Sequence, residues 1–137
     1  MSAHRLPQDL YKAIFDIPDQ PIGTSAPGPS ITYDRFGETI GMVIGSSGAE
    51  YQSLPDPVRA GQVMRLTVYS VGSGTRVIKA NGKINSAGNS KMTFATARQT
   101  IVLESVPAPN PDNFNSTGTT GYLWTITLND GTVTLGT

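Results

Sequence analysis

The chain has 137 residues, ten basic and ten acidic side chains, and no cysteine. This length allows one domain with a modest core, and the absence of cysteine excludes a disulfide framework, a thiol nucleophile and a thiolate metal site. The balanced charge favours neither nucleic acid nor a membrane as partner, and no run approaches the roughly 18 apolar residues that cross a bilayer. The first residues also lack the continuous apolar stretch of a signal peptide, so we expect synthesis in the cytoplasm.

One short helix is predicted near the N-terminus, over residues 8–16 (QDLYKAIFD). Pro7 suits a first helical position, and two apolar pairs recur at the i, i+4 spacing of one helix face. The four side chains of this apolar stripe are Leu10, Tyr11, Ile14 and Phe15. Because two turns of helix are too short to be stable alone in water, we predict that the stripe gains order by binding a partner.

An extended tether is predicted to follow this helix. Residues 17–30 contain four prolines and two glycines, which do not suit the interior of a helix or a strand. We therefore assign residues 1–33 to an N-terminal arm and residues 34–137 to a β-domain. The alternative is an N-terminal segment that folds back on its own domain.

Seven segments of strand length follow, each rich in Val, Ile, Thr or aromatic residues and bounded by Gly, Pro or Asn. They are Ile40–Ile44, Gln62–Val71, Arg76–Ala80, Lys91–Ala95, Thr100–Val106, Tyr122–Leu128 and Thr132–Leu135. Short strands without an intervening helix indicate an antiparallel sandwich or barrel. We predict an all-β fold, an antiparallel β-sandwich of jelly-roll type. Its predicted core residues are Met64, Leu66, Val68, Ile101, Leu103, Trp124 and Ile126.

The glycine-rich stretch Gly72–Thr75 leads into a strand rather than a helix. Phosphate-binding glycine loops open a helix, whose N-terminus holds the phosphate, so we predict a hairpin turn here instead. A second tight hairpin is predicted at Asn129–Gly131, because Asp-Gly supplies the positive φ that such turns require. The insertion Pro107–Gly121 consists mostly of turn-forming residues and is either a functional or mobile loop or a self-packed loop tip.

The charges are unevenly distributed along the chain. The first 60 residues hold four basic and seven acidic side chains, whereas the rest hold six basic and three acidic ones. No acidic residue interrupts the basic run, whose members are Arg65, Arg76, Lys79, Lys83, Lys91 and Arg98. This run is either a solvated sheet face or a basic face that binds an acidic partner surface.

The residues needed for common catalytic sites are missing from the sequence. The one histidine, His4, lies near the N-terminus, where it is poorly placed for a Ser-His-Asp triad, and one histidine cannot build a zinc site. The acidic residues stand singly, which does not suit calcium. Hydrolysis of a glycoside by two carboxylates stays open, although the acids lie mainly on loops and the arm. We therefore predict a protein that is not an enzyme and has no metal or cofactor.

Several motif positions recur at set places across residues 50–128. They are Leu54-Pro55, Gly61-Gln62, Gly72, Gly74, Val77, Gly82, Ile84, Gly88, Ile101-Val102-Leu103 and Trp124. At these positions the chain resembles a module of small virion proteins of tailed bacteriophages, found in head decoration or cement proteins and in tail-fibre modules. The resemblance implies a structural protein of the virion, made in the host cytoplasm, that binds the outside of the capsid shell and stabilises it. Its implied partner is the major capsid protein.

Two other functions are weighed against this one. A tail-fibre or adhesion module would bind a host glycan or another tail protein, but the chain lacks the shaft or repeats that such proteins usually carry. A small carbohydrate-active enzyme rests on fold analogy alone. We also expect a homo-oligomer, with a dimer favoured over a trimer, because exposed strand edges pair readily about a two-fold axis.

Overall fold

The structure, a computed structural model, describes residues 13–15, 21–32, 39–107 and 121–137. Nine strands and no helix are present in these ranges, which confirms the all-β prediction. The strands are β1 (Ala13–Phe15), β2 (Thr39–Ile44), β3 (Ala49–Leu54), β4 (Val63–Val71), β5 (Thr75–Ala80), β6 (Lys91–Phe94), β7 (Thr100–Pro107), β8 (Tyr122–Asp130) and β9 (Thr134–Gly136). The insertion after β7 lies almost wholly outside the described residues.

The strands form two sheets that share one hydrophobic core. Sheet A has the order β1-β2-β4-β7-β8, and sheet B has the order β3-β5-β6-β9. Alternate residues of β4 and β5 point into the space between the sheets, as the two-residue period of a strand requires. Six of the seven predicted core residues are buried, and Ile126 packs against them. Sheet B contributes Ile78, Met92 and Phe94 to the same core.

The two sheets are mixed, so the prediction of a purely antiparallel sandwich is wrong. Among the described strands β1 pairs parallel with β2, β2 with β4, and β3 with β5. The physical reason is that the chain crosses to the other sheet after β2, again after β3 and again after β4. Each strand that returns to a sheet therefore runs in the same direction as the strand already there. The register partners Ala13, Thr39 and Arg65 are equally spaced along the sequence.

The turn at Gly72–Thr75 is an arch between the sheets and not the predicted hairpin, because β4 and β5 belong to different sheets. It stacks on the equivalent arch between β2 and β3, and the amide of Thr75 donates to the carbonyl of Gly48 at 3.2 Å. A Cβ atom at Gly74 would clash with the carbonyl oxygens of Gly48 and Ser46. Gly74 is therefore needed for close packing of the two arches and not for binding a phosphate.

Asn129–Gly131 is likewise a connection between sheets, since β8 lies in sheet A and β9 in sheet B. The prediction of a hairpin at this position is wrong. The Asn129 side chain holds the turn closed, because its Oδ1 accepts from the amide of Val133 at 2.9 Å and its Nδ2 donates to the Val133 carbonyl at 3.1 Å. Val133 can then bury its side chain in the shared core.

The N-terminal region contributes to both sheets. Ala13–Phe15 form strand β1, so the helix predicted over residues 8–16 is wrong for these three residues, and its remaining positions lie outside the described part of the chain. Residues 21–32 run beside β3, where the amide of Gly23 donates to Tyr51 and the amide of Ile31 donates to Ser53. Ile31 is only 2% exposed and belongs to the core. This stretch follows the alternative in which the segment folds back on its own domain.

Candidate functional site

The six residues of the predicted basic face do not lie on one surface. Arg65 and Arg98 line a recess on sheet A, whereas Lys79 and Lys91 line another recess, formed by sheet B. Lys83 is exposed in the connection between β5 and β6. Successive side chains of a strand point to opposite faces, and the chain changes sheets between these residues, so closeness in sequence does not bring their charges together.

Arg76 contradicts the prediction outright, because its side chain is 0% exposed and lies between the sheets. Its guanidinium lies 2.7 Å from the Glu50 carboxylate and donates to Gln52 Oε1 at 2.9 Å. It also donates to the carbonyl oxygen of Val43 on β2 at 3.3 Å. A buried arginine needs this many acceptors to offset the loss of its hydration. Arg76 therefore connects β5 to β3 and to the opposite sheet, and cannot contact a partner.

Glu50 is held in its charged form. Burial acts to raise the pKa of its carboxyl group, but hydrogen bonds from Ser46 and Arg76 and the Arg76 charge outweigh that effect, so the pKa is lowered from its ordinary value. Ser46 donates through its hydroxyl at 2.6 Å and through its amide at 3.1 Å. The arch that follows β2 is thereby linked to the buried ion pair.

The outer face of sheet A combines apolar and cationic side chains. Register places Arg65 of β4 beside Val102 of β7, and Val102 beside Leu128 of β8. Tyr69 is 64% exposed on the same face of β4. An unbroken alternation along β8 would put Leu128 on the same face as Trp124, but the β-bulge at the Val102/Leu103 step shifts the pairing and places Leu128 on the surface.

Arg98 adopts an unusual backbone conformation, with a φ of 75° in the left-handed region. Such strain in a residue other than glycine persists only where its surroundings impose it, and it is enriched at functional sites. The neighbouring Gln99, 7% exposed, imposes it here. Gln99 Oε1 accepts from the amides of Ala95 and Thr96, and its Nε2 donates to the carbonyls of Gly131 and Thr132.

Arg65 and Arg98 line a recess of about 390 Å³ together with Tyr69 and Asp130. The hydroxyl groups of Thr67 and Thr100, 2.8 Å apart, join its floor. Neither arginine side chain forms a hydrogen bond or ion pair with the described residues. Two guanidinium groups beside an exposed aromatic ring can recognise a carboxylate or another anion bidentately. We name this surface, formed by Arg65, Tyr69, Arg98 and Leu128, the sheet A patch.

The predicted arm residues are only partly described. Ile14 and Phe15 belong to β1 at the edge of sheet A, whereas Leu10 and Tyr11 lie outside the described residues. Binding of a partner by these four side chains stays a prediction.

Sequence reasoning missed strand β3 because its inward positions include Glu50 and Gln52. It also missed the role of Gln99. One usable signal for Gln99 was present, since a glutamine within a turn can accept hydrogen bonds from nearby amides.

No protein-family model, no curated protein and no solved structure matches the chain. Among the described residues, no three His, Cys, Asp or Glu side chains are grouped so that they could hold a metal ion. None of the described segments is a helix long and apolar enough to span a membrane.

Proposed function

We propose that this protein is a non-enzymatic structural protein of a tailed-phage virion, which binds the outside of the assembled capsid and stabilises it as a decoration or cement protein. Two features support the proposal. Residues 50–128 resemble modules of such proteins, and the sheet A patch supplies a surface suited to a protein partner. The patch is the observation that carries the proposal, because Arg65, Tyr69 and Leu128 lie on paired strands and Arg98 lies in the turn that the Gln99 side chain holds.

The composition of the patch favours a protein partner. Arginine and tyrosine are enriched where protein interfaces bind most strongly, and such residues act best beside apolar neighbours that exclude water. Here Arg65 lies in one row with Val102 and Leu128, and Tyr69 stands exposed nearby. Paired strands fix the backbone of this row, so little backbone conformational entropy is lost on binding. The partner that fits is an acidic surface of the major capsid protein, through charge complementarity.

Binding to shells tests the proposal directly. Empty shells of the phage that encodes the chain, prepared without this protein, are mixed with the purified full chain, and bound protein is measured by sedimentation. We expect Arg65→Glu and Arg98→Glu each to weaken binding by about tenfold or more. Lys83→Glu makes the same change of charge at an exposed residue outside the patch and should bind like the unchanged chain.

Two results would overturn the proposal. One is equal binding by all three charge-reversal variants, which would exclude the patch. The other is mass spectrometry of purified particles that finds this chain at the copy number of a tail component and not at a copy number comparable with that of the major capsid protein. That second result would favour a tail-fibre or adhesion module.

A further inference from the structure

Two lysines face each other directly on the outer face of sheet B. Lys79 of β5 and Lys91 of β6 are register partners in an antiparallel pair, and both are half-buried. Like charges placed opposite each other in a sheet repel and destabilise it. An anion bound between the two ammonium groups would remove this repulsion, and it would explain why two lysines occupy opposite positions.

The two ammonium groups retain unused hydrogen-bond donors. Lys79 Nζ donates to Ser90 Oγ at 2.6 Å and to the main-chain oxygen of Thr137, which leaves one of its three donors. Lys91 Nζ has no hydrogen-bond or ion-pair partner within the described part of the chain. Its side chain runs beside Gly136 of β9, where a Cβ atom would lie only 3.4 Å from Lys91 Cε. Both lysines thus reach the same end of the sheet.

A recess of about 560 Å³ lies against this pair. Tyr51 and Val77, neighbours in the register of β3 and β5, line it together with the lysines. Pro27, from the segment that runs beside β3, contributes a further apolar surface. None of the described residues that line the recess has an acidic side chain, and Thr137, whose main-chain oxygen accepts from Lys79, lines it as well. The recess therefore offers an aromatic and apolar wall beside two lysines, of which Lys91 has no partner among the described residues. This is the usual plan of a small-molecule site with a few orienting polar groups.

We propose that this recess binds a small organic anion in which a carboxylate is attached to a ring. The carboxylate accepts hydrogen bonds from Lys91 and from the remaining donor of Lys79, and the ring packs between Tyr51 and Pro27. A carboxylate shared by two cations also removes their mutual repulsion. This site is formed by sheet B, whereas the sheet A patch is formed by sheet A, so the inference does not rest on the proposed capsid function.

The experiment is a titration of the full chain followed by NMR chemical shifts and by thermal unfolding. Benzoate and glucuronate are the probes, and benzyl alcohol and methyl glucoside are their neutral counterparts. We expect at least one carboxylate to shift the amides of Tyr51 and Lys91 and to raise the melting temperature. Each neutral counterpart should bind at least about tenfold more weakly than its carboxylate. Binding of benzoate alone would assign a flat aromatic ring to the site, and binding of glucuronate would assign an acidic sugar.

Variants separate the site from general attraction of anions. Lys91→Gln should weaken carboxylate binding by about tenfold or more and should leave the unliganded chain at least as thermostable, because it relieves the repulsion with Lys79. Lys83→Gln removes the same charge outside the recess and should bind like the unchanged chain. The proposal is overturned if neither carboxylate binds, if neutral counterparts bind equally well, or if the two variants lose binding equally. The neutral counterparts are tested on the unchanged chain, so the result does not depend on any variant folding.

Discussion

The guanidinium of Arg76 and the carboxylate of Glu50 form an ion pair, 2.7 Å apart, between the two sheets. The pair joins β5 to the neighbouring parallel strand β3. Through the carbonyl of Val43 it also reaches β2 in the opposite sheet. A buried ion pair adds little net stability over apolar packing, but the loss of one partner leaves an uncompensated charge in the core.

Arg76→Met should lower the free energy of unfolding by about 3–5 kcal/mol, because the Glu50 carboxylate then stays buried without its counter-ion. Urea denaturation followed by circular dichroism measures the change. The double variant Glu50→Leu, Arg76→Met should recover much of the loss. Arg65→Met makes the same substitution at an exposed arginine and should change stability by no more than about 0.5 kcal/mol. Equal effects of the two single substitutions would contradict the buried position of Arg76.

Stability should fall in acid because of Glu50. Its pKa is lower in the folded state than in the unfolded chain, so its contribution is fully present above the ordinary glutamate pKa. That contribution is lost as the pH falls through the lowered folded-state pKa, because the unfolded chain takes up the proton first. Melting temperatures measured from pH 7 down to acid should show a shallower decline for Glu50→Gln than for the unchanged chain. If the melting temperatures of the two proteins fell equally with pH, groups other than Glu50 would be responsible for the loss of stability in acid.

Trp124→Ala should cost about 3–5 kcal/mol, since the indole is buried in the core and its removal leaves a large cavity. The indole Nε1 also donates to the carbonyl of Pro55 at 2.7 Å. Trp124→Phe keeps most of the packing and should lose about 1–3 kcal/mol for the unsatisfied carbonyl. Chemical denaturation of both variants checks the order, and an equal loss for the two would mean that packing contributes little here.

Substitutions of the neighbouring residues Gln99 and Arg98 should affect the stability of the fold differently. Gln99→Ala removes the four hydrogen bonds that the Gln99 side chain makes to the main chain and should lower stability by about 1–3 kcal/mol. Arg98→Gly relieves the positive φ and should leave stability unchanged or raise it by about 1 kcal/mol. Thermal unfolding distinguishes them. A clear loss of stability in Arg98→Gly would show that the arginine side chain supports the fold and is not reserved for binding.

If the sheet A patch binds an acidic capsid surface, added salt should release the protein from shells. Exposed charges more than about 8–10 Å apart are screened at physiological ionic strength, and higher salt shortens that range. Sedimentation of shells at rising salt concentrations measures the retained fraction. Retention that stays constant up to about 1 M salt, where the screening length is about 3 Å, would assign the attachment to apolar contacts such as those of Tyr69 and Leu128.

The sequence was sufficient for the elements whose burial follows simple alternation. In β4 the residues Met64, Leu66 and Val68 alternate with polar or exposed neighbours, and the structure buries all three. The same pattern located β7 and β8 and the core position of Trp124. Local hydropathy suffices there because a strand with one apolar face can lower its free energy only by burying that face.

The tertiary structure alone decided the pairing of strands and the grouping of charges. Hydropathy assigns charged residues to the surface. The basic run therefore suggested a single basic face, and strand β3, with Glu50 at an inward position, was not predicted. In the structure Arg76 and Glu50 are both buried because each neutralises the charge of the other. Arg65 and Arg98 line one recess only because β4 pairs with β7 and Gln99 holds the turn before β7. Lys79 lies opposite Lys91 only because β5 pairs with β6. These contacts join residues distant in sequence, and their energies depend on partners that no local pattern contains.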